Sequence, residues 1–462
     1  MSNSKYSSCA GLYSSPFAYC ILLAVLASCS VQKQLGKSAT ETVLNAPALQ
    51  TAHVGISIFE PATNRYWYNY QGDHYFVPAS NTKLPTCYAA MKYLGDSLIG
   101  LMYSAAEEPG KLYIRPTGDP SLLHPDFRIQ PTLEFLKQQN RTVVIVNPRF
   151  YASSLGSGWA WNDYNENYMA ERSAMPLYGN TAHWERDVTT GSPYSLQVKP
   201  RLFRDSLAVM EPSSLEPSPL DLGKWDPSNF DVIRDKDNNR YRMIKSKTRF
   251  RSADIPFETG HLQTLANLLS DTLHLEVQLA PQKSISSMSV IKSRPTDSLL
   301  RPMMHNSDNF FAEQSLLMVS NTRLGYMYDA AIIDTLLKTD LKDLPQRPRW
   351  VDGSGLSRYN LFSPEDFVTI LNKMKNEFGM ERIKVILPTG GEGTISSYYK
   401  ADSGYIFVKT GTLSGVVALS GFLYTKKNKL LIFSILVNNH NASATDVRRA
   451  VEKFLQGIRA KY

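Results

Sequence analysis

The sequence predicts an α+β protein: a five-stranded antiparallel sheet flanked by helices, interrupted by a long, mostly-β insertion. Three observations lead there. Two alternating strands stand near the front of the chain, and three more followed by a helix close it. Between them the texture changes to short β fragments rich in Pro, Gly and aromatic residues. At 462 residues, 43% hydrophobic and 20% charged, the chain suits two or three domains with substantial cores. Disordered and fibrous classes are excluded. Lys and Arg outnumber Asp and Glu by 50 to 42, but the excess is spread along the chain, as on a solvated surface. No stretch reads as a nucleic-acid module.

The first residues read as a targeting signal. From Phe17 to Ala27 runs FAYCILLAVLA, apolar but too short to span a bilayer as a mature helix. Leu26-Ala27-Ser28-Cys29 resembles a bacterial lipoprotein box, in which Cys29 becomes the lipidated first residue. Lys5 alone supplies positive charge before the apolar run, which is a departure from the usual pattern. The expected segments are a signal peptide over 1–28 and a tether over 29–48. The expected location is the periplasmic side of a bacterial cell envelope, anchored to a membrane through Cys29, with the outer membrane favoured. Cys9 and Cys20 depart with the signal, which leaves Cys87 alone and no internal disulfide. No Cys or His cluster has ligand spacing, so neither a metal nor another cofactor is expected.

Each element has its own signature. Residues 53–59 alternate, turn through Glu60–Asn64 and return as Arg65–Tyr70, which reads as a hairpin. A helix should follow from Asn81 to Leu94. Tyr405–Lys409, Val416–Thr425 and Lys429–Asn438 read as three strands, and a helix over 444–457 closes the chain. The insertion carries strand fragments at Lys111–Arg115, Thr142–Val146, Ser195–Lys199 and Tyr241–Ser246. The expected division is a main domain over 49–103 and 286–462, an inserted domain over 104–180 and 255–285, and a nested second insertion over 181–254.

Three short motifs carry the chemistry. In Ser80-Asn81-Thr82-Lys83, a serine opening a helix would have a lysine one turn on, facing the same way. Serine needs a base to become a nucleophile, and a lysine amine serves when desolvation lowers its pKa. Alone this spacing is uninformative, because it begins also at Ser2, Ser30, Ser289 and Ser397. Ser307-Asp308-Asn309 precedes an amphipathic helix, and by itself reads as a cap. Lys409-Thr410-Gly411-Thr412 lies on an expected edge strand, where Gly411 lets a ligand backbone come close and the Lys and Thr side chains offer donors to a carboxylate.

Together and in this order, the three motifs form the signature shared by penicillin-binding proteins and class A β-lactamases. The gap from Ser80 to Ser307 is more than twice that from Ser307 to Lys409, too long for a compact lactamase without inserted domains. The lactamase glutamate has no counterpart after Ser307; the string Glu41-Thr42-Val43-Leu44-Asn45 precedes the nucleophile. The chain resembles the class C low-molecular-mass penicillin-binding proteins, the D-alanyl-D-alanine carboxypeptidase/endopeptidase family, over residues 50 to 460. Gly118–Leu122, Gly158–Asp163, Asp352–Arg358 and Leu387–Thr394 strengthen the resemblance. Asn147-Pro148 stands where relatives often carry an acid.

The resemblance implies a penicillin-binding/serine β-lactamase-like transpeptidase fold, with peptidoglycan stem peptides and β-lactams as partners. It implies Ser80 as nucleophile and Lys83 as its base, with Ser307 and Lys409 relaying a proton to the leaving amine. Asn309 would orient the peptide amide, Thr410 and Thr412 would hold the substrate carboxylate, and Gly411 would let the substrate backbone come close. Asp163 and Arg358 would recognise the zwitterionic end of a diaminopimelate side chain; the alternative is that Arg358 pairs with Asp352 and Asp163 caps a turn. A wall-binding protein without activity and a β-lactamase are the rival readings.

Overall fold

The structure, a computed structural model, describes residues 31–190, 192, 194–210, 232–244, 250–285 and 287–462. The expected signal segment and Cys29 lie outside the described residues.

The span read as a tether is helical instead. A helix over 31–39, α1, continues into a π-helical turn, Thr40–Leu44. Val31, Leu35, Ala39 and Val43 recur every fourth residue and share one core, so this stripe docks the segment on the main domain. The Glu41–Asn45 string lies on that turn.

Strands β1 (His53–Glu60) and β2 (Arg65–Tyr70) form the expected hairpin. A 3-10 turn, Ala79–Thr82, leads into α2 (Lys83–Tyr93). The insertion then runs through β3 (Ser97–Ser104), β4 (Lys111–Pro116), α3 (Pro131–Lys137), β5 (Thr142–Val146) and β6 (Thr181–Arg186). It continues with β7 (Leu196–Lys199), β8 (Leu207–Met210), β9 (Val232–Arg234), β10 (Tyr241–Ile244) and β11 (Ser252–Pro256). It ends with α4 (Gln263–Leu273), β12 (Val277–Ala280) and β13 (Ser289–Pro295). The main domain resumes with α5 (Asp297–His305), α6 (Asn309–Leu324), α7 (Asp329–Lys338) and α8 (Pro364–Ile386). It closes with β14 (Ile406–Leu413), β15 (Val416–Tyr424), β16 (Leu430–Asn438) and α9 (Ala444–Lys461).

The main sheet has the order β14-β15-β16-β1-β2 and is antiparallel throughout. Its inner strands are nearly continuous apolar runs because both faces are covered. One face packs Phe422, Ile432 and Leu436 against α2, α5, α6 and α8; the other packs Val54, Ile56 and Ile435 against α9 and α1. Burying each such side chain contributes roughly 1.5–3 kcal/mol. Strand β14 is left at the edge, beside the 3-10 turn that begins α2.

The insertion is wider than expected. Strands β3 and β13 pair with each other and complete a second, mixed sheet of order β12-β5-β4-β3-β13. Residues 97–103 and 289–295 therefore belong to the insertion and not to the main sheet. The nested span 181–254 supplies two three-stranded sheets, β11-β6-β7 and β8-β10-β9. Its Trp184, Phe203, Tyr241 and Met243 share one hydrophobic cluster with Leu112, Ile114 and Val143, so the described residues give it no core of its own.

Candidate active site

The nucleophile motif sits on the 3-10 turn. Ala79 takes a positive φ of 47°, which turns the chain so that Ser80 is half exposed while Lys83 is fully buried. The Lys83 amine donates to Ser80 Oγ at 3.0 Å, to Asn309 Oδ1 at 2.6 Å and to the Ser354 carbonyl at 2.8 Å. Burial lowers its pKa to about 8, against the opposing pull of Asp308, Asp352 and Glu313.

The second motif divides its labour. Asp308, the middle residue, caps α6 by accepting from the Phe311 amide at 2.8 Å. That leaves Ser307 and Asn309 free to face the cleft. Ser307 is held at φ 60°, left-handed backbone for a non-glycine residue. Its hydroxyl accepts from Lys409 Nζ at 2.9 Å. Asn309 is engaged at both ends of its amide: Oδ1 by Lys83, and Nδ2 by the Tyr168 carbonyl at 3.0 Å.

The third motif lies on edge strand β14. Lys409 is fully buried, and desolvation together with the Lys83 charge holds its pKa well below the usual lysine range. Gly411 faces the nucleophile turn so closely that a Cβ there would lie 2.7 Å from the Pro78 carbonyl and 3.0 Å from the Ser80 amide nitrogen. Only glycine allows that approach. Thr410 Oγ1 bonds to Thr394 Oγ1 at 2.7 Å, and Thr412 Oγ1 accepts from Arg448. The structure thus brings Ser80, Lys83, Ser307, Asn309, Lys409 and Gly411 together, while the Thr410 and Thr412 side chains on the same strand are bonded to Thr394 and Arg448.

The Asp352–Arg358 loop is wound around a buried carboxylate. Asp352 accepts from the Gly355 and Ser357 amides, from Asn360 Nδ2 and from Trp159 Nε1, all within 2.7–2.9 Å. The winding aims the Ser354 carbonyl at Lys83 and presses Gly355 under Ala79, where a Cβ would come within 1.9 Å of a carbonyl oxygen. Arg358 does not pair with Asp352. It is exposed and donates to the Ser414 carbonyl at 2.9 Å, just past the end of β14. Asp163 lies on the 3-10 turn Trp161–Asp163 and accepts from the Tyr168 side chain, whose own carbonyl takes the Asn309 amide.

Several site residues carry no motif. Glu313, one turn beyond Asn309 on α6, accepts from the Ser354 amide at 2.8 Å. Arg172 lies behind it, 3.4 Å from Glu313 and 2.5 Å from Asp329. Burial, Asp352 and Asp329 raise the Glu313 pKa to about 7 despite Arg172. The one sequence signal was an acid inside an apolar helical run. By contrast Gly118–Leu122, though part of the resemblance, is structural: the Gly118 carbonyl accepts from Gln314, and Asp119 is bonded by Ser293 and by the Ser121 amide.

Comparison with known proteins agrees with this geometry. The model of the D-Ala-D-Ala carboxypeptidase 3 (S13) family matches residues 37–211 and 250–458. A D-alanyl-D-alanine carboxypeptidase of an Actinomadura species is 27% identical, the match covering 87% of this chain and 81% of that protein. The D-alanyl-D-alanine carboxypeptidase DacB of Haemophilus influenzae is 25% identical over 81% of this chain and 82% of its own length. The crystal structure of penicillin binding protein 4 from Haemophilus influenzae superposes with a TM-score of 0.67 at 20% identity, covering 92% of this chain and 98% of that one. With two serine–lysine pairs sharing one cleft and the family model spanning most of the sequence, the chain belongs to the D-Ala-D-Ala carboxypeptidase 3 (S13) family.

Proposed function

We propose that the chain is a serine-type D-alanyl-D-alanine carboxypeptidase that cuts peptidoglycan stem peptides through an acyl-enzyme on Ser80. One observation carries the reading: a buried Lys83 amine of pKa about 8 lies 3.0 Å from a half-exposed serine hydroxyl beside an edge strand. Neutral Lys83 takes the Ser80 proton as Oγ bonds to the carbonyl carbon of the penultimate D-alanine. The carbonyl oxygen is received by the Ser80 and Thr412 amides, each such donor being worth about 3–4 kcal/mol of barrier. The C–N bond then breaks, and the departing D-alanine amine takes a proton from Ser307, which Lys409 resupplies. Thr410 and Thr412 hold the substrate carboxylate, and Gly411 gives its backbone room along β14. Asn309 orients Lys83 and the peptide amide. Water then releases the shortened peptide and restores the Ser80 hydroxyl.

The same bond chemistry serves a D-alanyl cross-link, so an endopeptidase activity belongs to the same reading. Asp163 and Arg358 are assigned to the charged end of the stem peptide's third residue. β-Lactams are assigned as covalent inhibitors that acylate Ser80.

The membrane assignment rests on sequence. The apolar run ending in Leu26-Ala27-Ser28-Cys29 supports a lipid-anchored protein of the periplasmic side, held to the outer membrane through Cys29. A Cys29→Ala variant is expected in the soluble fraction; its retention in membranes would overturn the anchor.

The enzymatic reading is tested by incubating the chain and a Ser80→Ala variant with fluorescent penicillin and following intact mass. A stable adduct on the wild type alone, with D-alanine released from a stem pentapeptide, supports it. No adduct would sink the nucleophile. An adduct that clears within seconds would point to a β-lactamase.

A further inference from the structure

A second cavity, of about 560 Å³, lies where the chain passes from the main domain into the insertion. Its walls are the end of α2 and the start of β3, the C-terminal turn of α6, and the face of the inserted sheet that carries Arg115 and Lys292. Three cations line it: Arg115, Arg149 and Lys292. Asp96 is the one acid of the described lining.

The arginines are under-used. Arg115 is 9% exposed; its NH2 group donates to the Ile285 carbonyl at 2.9 Å, while Nε has no hydrogen-bond partner. A buried donor left without an acceptor is costly and keeps the Arg115 guanidinium short of partners. Arg149 stands close enough for its charge to bear on Arg115, and among the described residues its guanidinium hydrogen-bonds only to the Gly325 carbonyl, at 3.4 Å. Two guanidinium groups lining one cavity repel each other unless an anion joins them.

We propose that this cavity is a binding site for a phosphomonoester with an apolar or aromatic organic part. Three cations less the Asp96 charge leave about two positive charges, matching the charge of roughly −1.5 to −2 on a phosphomonoester at neutral pH. The Arg115 and Arg149 forks suit phosphate oxygens, and Thr322 and Asn321 offer further donors. Leu94, Leu98, Ile99 and Met102 form an apolar wall for the organic part, and the volume lies in the range of small-molecule sites.

The test is calorimetric titration of the full chain in detergent with phenyl phosphate and with inorganic phosphate. Saturable binding of phenyl phosphate is expected, at least tenfold tighter than inorganic phosphate. Arg149→Gln with Lys292→Gln, both at exposed positions, should weaken it at least tenfold while leaving penicillin acylation unchanged. Arg347→Gln, an exposed arginine outside the cavity, should leave it unaltered. Absence of saturable binding, or binding indifferent to the double variant, would overturn the site. Equal affinity for inorganic phosphate would remove the organic part from the proposal.

Discussion

The Lys83 amine lies 2.6 Å from the side-chain oxygen of Asn309, a residue 226 positions further along the chain. That contact joins the first motif to the second across the whole insertion. It also takes one of the three protons an ammonium can donate, the others going to Ser80 and the Ser354 carbonyl. A protonated Lys83 is therefore fully satisfied and inert. Catalysis begins when it loses a proton and its lone pair turns to Ser80.

Acylation should accordingly follow the deprotonated fraction of Lys83. With the pKa brought down to about 8 by burial, the penicillin acylation rate should fall about tenfold per pH unit below 8 and level off above it. Stopped-flow rates between pH 6 and 9 check this. A rate flat across that range would remove Lys83 as the base.

Gly411→Ala should separate folding from chemistry. The added methyl would meet the Pro78 carbonyl at 2.7 Å and push β14 away from the Ser80 turn. Acylation is expected to slow roughly 100-fold, about 2.7 kcal/mol of barrier. The edge position of β14 should hold the stability loss to about 1–3 kcal/mol. Acylation rates and urea midpoints on one preparation read both.

Arg172→Met should be costly because it strands Glu313 and Asp329, buried carboxylates that share this one guanidinium. Removing one partner of a buried ionic cluster costs about 3–5 kcal/mol. The Glu313 pKa is already raised to about 7, and losing Arg172 raises it further. Protonation removes the stranded charge, so the deficit should shrink as pH falls through 7. Urea midpoints at pH 5 and pH 8 test the sign.

Arg358→Ala should leave β-lactam acylation within twofold of wild type, since Arg358 is exposed and, among the described residues, bonded only to the Ser414 carbonyl just past the end of β14. Its effect should appear with stem peptides whose third residue ends in a carboxylate. There kcat/KM should drop roughly 10- to 100-fold, the worth of a charged hydrogen bond. A peptide lacking that carboxylate should show no difference.

Much of this was legible in the chain. The five strands of the main sheet announced themselves by alternation or by apolar runs, and the three motifs met as their order implied. What failed was non-local. Nothing in residues 97–103 says that they pair with β13, so the sequence assigns them to the main domain. The stripe of Val31, Leu35, Ala39 and Val43 was visible but lay in a polar segment following the targeting signal, where a tether was the natural reading. Glu313 was hidden differently: an acid amid apolar neighbours shows its purpose only when Ser354 and Arg172 arrive from elsewhere in the chain.

The pairing of β1 with β16 dictates when the protein can be finished. His53 faces Asn438 across this ladder, so one of the earliest strands waits for one of the last to be synthesised. At roughly 5–20 residues per second, that wait lasts tens of seconds. Until β16 arrives the first hairpin presents an open apolar edge, and until β14 arrives Ser80 has neither its edge strand nor the lysine of the third motif. A chain ending before β14 lacks both Lys409 and the edge strand beside Ser80, and one ending before β16 lacks the strand that ties that edge to β1.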